Sequence, residues 1–83
     1  MTTAELNSTL QDALRMLKRG NPHAASELLW SAWESATGDE ADQLFAIAEK
    51  VDAGFPVLAR EEIEKVLTEN TELTDRRGAG SVK

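Results

Sequence analysis

Apolar residues recur along most of the chain at intervals of three and four, the spacing that places side chains on one face of an α-helix. Four segments show this pattern, running from about Thr3 to Arg19, Pro22 to Ala36, Glu40 to Ala53 and Pro56 to Asn70. No run alternates cleanly between apolar and polar residues, so strands are not expected. The pattern predicts an all-α protein whose four helices form two antiparallel hairpins around one shared core.

The apolar face of each predicted helix is expected to supply that core. These faces comprise Leu6, Leu10, Ala13, Leu14 and Leu17 in the first helix, Ala25, Leu28, Leu29, Ala32, Trp33 and Ala36 in the second, Leu44, Phe45, Ile47, Ala48 and Val51 in the third, and Leu58, Ala59, Ile63, Val66 and Leu67 in the fourth. Residues 1–72 are therefore predicted to form a single helical domain, with hairpins at 3–37 and 39–70. Residues 73–83 show no periodicity and are expected to form a flexible tail.

Residues at the predicted helix ends fit their positions. Thr2 and Glu5 have the spacing of a capping box, in which each side chain accepts a hydrogen bond from the other residue's backbone N–H. Gly20 and Gly54 each end a helix, and a proline two residues later suits the first turn of the next helix. The sequence thus places a tight bend at each glycine.

The two hairpins resemble each other when the sequence is shifted by 34 residues. Gly20 then falls on Gly54, Ala25 on Ala59, and both prolines of the chain coincide. The shared pattern is G-x-P-x-x-A-x-E-x-[L/I], which combines a helix end, a helix start and a small residue that lets two helices approach closely. A period of this length is the signature of a helical repeat.

This repeat resembles the tetratricopeptide repeat family, whose unit is a helix–turn–helix of 34 residues. The resemblance covers about two units, from Leu6 to Asn70. The sequence departs from the family pattern at Thr37, where a proline usually follows the second helix, and at Val66, where a smaller residue is usual. A plain four-helix bundle with equal loops is the alternative, because it would also show some self-similarity.

The resemblance implies a ligand-binding groove lined by the first helix of each unit. It would be mostly apolar, with Asn7 and Lys18 as its basic and amide groups and Asp52 at its edge. It would receive a helix or peptide of another protein, or a second copy of this chain in a homodimer. A groove filled by the other hairpin or the tail is the alternative. The groove residues are expected to be Leu10, Leu14, Leu17, Lys18, Leu44, Ala48 and Val51.

Composition narrows the classes of function. The formal charge is −6, and an acidic protein is repelled by phosphates, so we do not expect nucleic-acid binding. No apolar run is long enough to span a membrane, and Met1 to Glu5 does not have the pattern of a signal peptide. A cytoplasmic location is therefore expected, without membrane partners.

Reactive side chains are scarce, so we do not expect an enzyme. There is no cysteine, and the single histidine, His23, lies in a helix's first turn, where we expect it to be solvated. Asp39, Glu40 and Asp42 could suggest a cation site, but negative charge at a helix N-terminus explains them better. We therefore predict no catalytic residue, metal site or cofactor.

Two functions remain after these exclusions. The first is a protein-interaction module or small adaptor. Trp30 is its candidate interface aromatic, because tryptophans are enriched at binding hot spots. The alternative for Trp30 is a half-buried position at the edge of the core. The second is an acidic inhibitor that imitates nucleic acid and occupies a basic site. It would use the carboxylates of the fourth helix, Glu61, Glu62, Glu64 and Glu69.

Overall fold

The computed structural model describes the backbone of residues 2–82 and the side chains of residues 2–70. It contains four helices: α1 (Thr3–Lys18), α2 (Pro22–Ser35), α3 (Gly38–Asp52) and α4 (Pro56–Val82). No strand occurs within residues 2–82. The prediction of an all-α fold with four helices is confirmed.

The helix ends have the predicted chemistry. At the start of α1, the Thr2 side chain accepts from the Glu5 backbone N–H at 3.1 Å, and the Glu5 carboxylate accepts from the Thr2 backbone N–H at 3.3 Å. This is the capping box, and it satisfies backbone donors that have no partner inside the helix.

The turns after α1 and α3 have the same geometry. Gly20 and Gly54 both take the left-handed conformation, with φ of 78° and 89°. In each turn the glycine N–H donates to the carbonyl three residues back, and the next N–H donates to the carbonyl five residues back at 2.9 Å. This pair of bonds is the Schellman motif, which favours glycine because a Cβ is strained in this conformation. The shift of 34 residues therefore relates two matching turns as well as two matching sequences.

The helices pack in a ring, in which α1 contacts α2 and α4, and α3 contacts α2 and α4. Contacts between α2 and α3 run in opposite order along the two helices, since Ser26 near the start of α2 meets Asp52 at the end of α3, and Trp33 meets Phe45. This order is expected of antiparallel neighbours. Asn70 of α4 donates to the Asn7 side-chain oxygen of α1 at 2.7 Å and joins the two helices that are furthest apart in sequence.

The interior consists of apolar residues from all four helices, and every one of them was predicted to lie on an apolar face. Ser26 is buried as well, and the buried apolar residues are Leu6, Leu10, Ala13, Leu17, Ala25, Leu29, Leu44, Ile47, Ala48, Val51, Ala59, Ile63 and Val66. At roughly 1.5–3 kcal/mol for each large aliphatic side chain that is fully buried, this core supplies the main stabilisation of the fold.

Three residues that were predicted to face the core are exposed, so that prediction is wrong for them. Trp33 is 39% exposed, Phe45 41% and Leu58 47%. Phe45 and Leu58 are each offset by one residue, about 100°, from a fully buried neighbour, which places them at the edge of the stripe. Trp33 lies on the last turn of α2, and an indole is so large that it is rarely buried completely.

The fourth helix is longer than predicted. Its backbone continues to Val82, whereas the sequence pattern ended it near Asn70 and left 73–83 as a flexible tail. A periodic pattern of apolar residues indicates that a helix packs against a core. A helix that extends beyond the core does not need this pattern, so the end of the pattern is not the end of the helix. Leu73, Arg76, Arg77 and Ala79 favour helix, and extending an existing helix is much easier than starting one. The side chains of residues 73–83 lie outside the described set, and the flexibility of this segment stays a prediction.

Among the helices in the described part of the chain, none is both long and apolar enough to cross a membrane.

Candidate functional site

The residues expected to line an open groove mostly form the interior of the bundle. Leu10, Leu44 and Ala48 have no exposed surface, and Leu17 and Val51 are each 6% exposed. Leu14 is half-buried against the core, and only Lys18 is exposed. The five buried side chains cannot contact a partner while the bundle is closed.

The ring arrangement explains this burial. The expected groove requires the first helices of the two hairpins, α1 and α3, to lie side by side with one face uncovered. In the structure, each of them instead packs mainly against α2 and α4, so α1 and α3 stand diagonally across the bundle. Their apolar faces meet the other two helices in the centre, and the groove is filled by the second helix of each hairpin.

The largest aromatic feature of the surface lies on α2 and α3. Trp30 stands between two other rings, with centroid distances of 5.6 Å to Trp33 and 5.4 Å to Phe45, and it is nearly perpendicular to both. The Trp33 and Phe45 centroids lie 6.1 Å apart. Edge-to-face pairs at these distances are mutually attractive. We call Trp30, Trp33 and Phe45 the aromatic cluster.

The position of Trp30 is fixed by Asp52. The Trp30 indole N–H donates to Asp52 Oδ2 at 2.8 Å, and the buried Ser26 hydroxyl donates to Asp52 Oδ1. The hydrogen bond from Ser26, followed by that from Trp30, lowers the pKa of the Asp52 carboxyl below its ordinary value, because both bonds favour the ionised form. The carboxylate thereby holds one ring of the aromatic cluster in a fixed orientation, and Trp33 and Phe45 are the more exposed rings.

Four carboxylates lie one helix turn from the rings of the aromatic cluster along α2 and α3. Glu27 and Glu34 lie three residues before and four residues after Trp30, and Asp42 and Glu49 have the same offsets from Phe45. Residues at these offsets are neighbours on a helix surface, and all four are exposed. We call these four residues the acidic rim. The aromatic cluster and the acidic rim together form a surface with apolar rings at its centre and negative charge at its edge.

Sequence reasoning identified one member of this site. Trp30 was selected as a candidate interface aromatic, and the structure places it half-buried at the centre of the aromatic cluster. Trp33 and Phe45 were assigned to the core, and Asp52 was placed along the expected groove, so its bond to Trp30 was missed. A signal for the cluster was present, because Trp30 and Phe45 both stand one position after a core leucine, at the edge of their stripes.

Other candidate groups have local roles in the structure. His23 is exposed, and its Nε2 lies 2.9 Å from Glu27 Oε1. Asn7 is engaged with Asn70, so it does not stand free beside Lys18. Within residues 2–70, no three histidine, aspartate or glutamate side chains are placed to hold a metal ion.

The carboxylates of α4 form a separate surface. Glu61, Glu64 and Glu69 are exposed, and Glu62 is half-buried. Together with Lys65 and Thr68, the three exposed glutamates line a shallow depression on the outside of the helix. The lysine partly offsets their charge, so this surface is less strongly acidic than the four glutamates alone imply.

Comparison with known protein families, with curated proteins and with solved structures finds no match. The tetratricopeptide resemblance rests on the 34-residue repeat alone and stays a prediction.

Proposed function

We propose that this chain is a non-catalytic protein-interaction module, or small adaptor, that binds another protein through the aromatic cluster. The observation that carries the proposal is the exposure of Trp33 and Phe45 beside a third ring that is anchored by Asp52. Tryptophans dominate binding energy at interfaces, and rings held in place before binding lose little conformational freedom when they are covered.

The proposal moves the binding surface from the expected groove to the outside of the bundle. A partner that bound Leu10 or Leu44 would have to open the core and lose the burial that stabilises the fold. A partner that covers the aromatic cluster leaves the core intact. Binding at the cluster therefore requires less reorganisation.

Affinity capture with matched variants tests this function. The intact chain should retain a partner protein that is lost by the double variant Trp33→Glu/Phe45→Glu. Phe55→Glu is the control, because Phe55 is an exposed aromatic, 54% accessible, outside the cluster. Circular dichroism must show that all three proteins keep the same helix content. Retention of the same partners by the double variant would contradict the proposal, and so would capture of no partner by the intact chain.

A homodimer through the same cluster is a form of this proposal, and light scattering over a range of concentrations tests it. The intact chain would double its mass as concentration rises, while the double variant would stay at 9.1 kDa.

The acidic-inhibitor alternative uses α4 instead. Its support is the row of exposed glutamates at Glu61, Glu64 and Glu69. Replacing those three by glutamine should abolish binding to a basic protein under that alternative, and should leave binding through the aromatic cluster unchanged.

A further inference from the structure

The net charge of the chain is confined to the two helices that carry the aromatic cluster. Residues 22–52 contain seven carboxylates and one lysine, a net −6, which equals the formal charge of the whole chain. The other 52 residues contain eight basic and eight acidic side chains and are neutral in sum. The net negative charge therefore lies on the half of the bundle that α2 and α3 form.

Basic side chains are almost absent from this half. Helix α2 has no lysine or arginine, and Lys50 is the only one in α3. Lys50 follows Phe45 by five residues, which turns it about 140° away on the helix. It lines a depression together with Ala46, Phe55 and Glu49 of the acidic rim. The charged side chains one helix turn from Trp30 and Phe45 on α2 and α3 are therefore carboxylates.

Three carboxylates of the acidic rim are not neutralised. In the part of the chain whose side chains are described, Glu34, Asp42 and Glu49 form no ion pair or hydrogen bond, whereas Glu27 Oε1 lies 2.9 Å from His23 Nε2. Exposed carboxylates beside an aromatic ring favour a guanidinium, which can stack on the ring and donate to the acids at the same time. They disfavour an acidic or a purely apolar partner.

From this charge distribution we infer that the aromatic cluster and acidic rim dock a cationic, arginine-bearing segment of a partner protein. This inference rests on the proposed function and specifies its partner. Apolar side chains of the segment cover Trp30, and an arginine lies over the exposed rings of Trp33 and Phe45 with its N–H groups directed to Glu34, Asp42 or Glu49. A second copy of this chain fits the surface less well, because two acidic halves repel each other.

Nuclear magnetic resonance with a synthetic peptide tests the inference. The probe is an amphipathic peptide with leucines on one face and arginines along both edges, and the matched peptide carries glutamine in place of arginine. The chain has only two tryptophans, Trp30 and Trp33, so both indole N–H signals report on this surface. The arginine peptide should shift the Trp33 indole signal and the backbone amides of residues 42–52 in a saturable way.

The dependence of peptide affinity on charge tests whether the partner segment is cationic. Three exposed ion pairs of ordinary strength correspond to about a tenfold change in affinity. The glutamine peptide should therefore bind about tenfold more weakly, and so should the arginine peptide to the triple variant Glu34→Gln/Asp42→Asn/Glu49→Gln. The triple variant Glu61→Gln/Glu64→Gln/Glu69→Gln, with the same loss of charge on α4, should bind like the original chain.

Each other result overturns the inference in an identifiable way. Equal binding of the glutamine peptide would mean that the cluster binds without regard to charge, which leaves the proposed function standing. Loss of binding in the α4 variant would place the basic ligand on α4. Concentration-dependent shifts of the indole signals without peptide would make a second copy the occupant. Absence of any shift at millimolar arginine peptide would overturn the inference outright.

Discussion

Replacing Leu44 by alanine separates the two roles that can be assigned to this residue. In a ligand groove, Leu44 would be accessible, and its truncation would weaken binding while leaving the fold nearly as stable. In the closed bundle, Leu44 has no exposed surface and lies among apolar residues of all four helices. Its truncation should then destabilise the protein whether or not a partner is present.

The size of the effect follows from burial. Leucine to alanine at a fully buried site costs about 2–5 kcal/mol, because apolar surface is lost and a cavity remains. A domain of this length has a total stability of roughly 4–12 kcal/mol, so the loss is a large fraction. Leu58→Ala is the matched control, since it makes the same chemical change at a residue that is 47% exposed. It should cost about 1 kcal/mol or less.

Thermal and urea denaturation followed by circular dichroism measure both variants. For a domain of this size, each kcal/mol shifts the midpoint temperature by about 4–8 °C. Leu44→Ala should therefore melt at least about 8 °C below the original protein, with a clearly smaller shift for Leu58→Ala. If the two variants melt together, Leu44 is not a core residue, and the closed ring of helices is wrong.

Two further predictions concern the turns and the anchoring carboxylate. Gly20→Ala and Gly54→Ala should each lower the free energy of unfolding, measured by urea denaturation, by about 1–2 kcal/mol. Both glycines have positive φ and open space where a Cβ would be added, so backbone strain alone sets the cost. Unequal losses would show that the two turns are not equivalent. The pKa of Asp52 is lowered in the folded state, so the stability that it contributes is present above the unfolded pKa of about 4 and is lost as pH falls through the folded value. Between pH 6 and pH 3 the original protein should thus lose more stability than Asp52→Asn, and equal losses would refute the Ser26 and Trp30 bonds.

Local chemistry made much of the fold predictable. Helix starts and ends depend on single residues and their immediate neighbours, which is why Thr2, Gly20 and Gly54 could be assigned from sequence. The core was predictable for a similar reason, since one apolar stripe per helix leaves few choices. The edges of the apolar stripes could not be predicted in this way. Each helix in the ring contacts two neighbouring helices, and a residue such as Phe45 lies where the contact with one of them ends.

The 34-residue repeat does not determine how the two hairpins pack against each other. Two similar helix pairs can stack side by side, which leaves part of the α1 and α3 faces uncovered, or close into a ring, and the apolar stripes in the sequence are compatible with both arrangements. Only the second brings Asn7 of α1 within hydrogen-bonding distance of Asn70 of α4. Contacts between residues 63 positions apart leave no local pattern in a single sequence. The candidate site was hidden for the same reason, because Ser26, Trp30 and Asp52 meet only after α2 and α3 pack.

The distribution of charge gives the strongest reason to place binding outside the core. A uniformly charged surface would keep the protein soluble equally well, and solubility alone would not require that residues 22–52 carry the whole net charge. Burial of the aliphatic side chains requires no such asymmetry either, since the core draws on all four helices. In the proposed interaction, the asymmetry supplies a long-range field that would orient a cationic partner toward α2 and α3 before contact, and the aromatic cluster would hold it afterwards. Removal of Trp33 and Phe45 should therefore act mainly on dissociation, whereas removal of the acidic rim should act mainly on association.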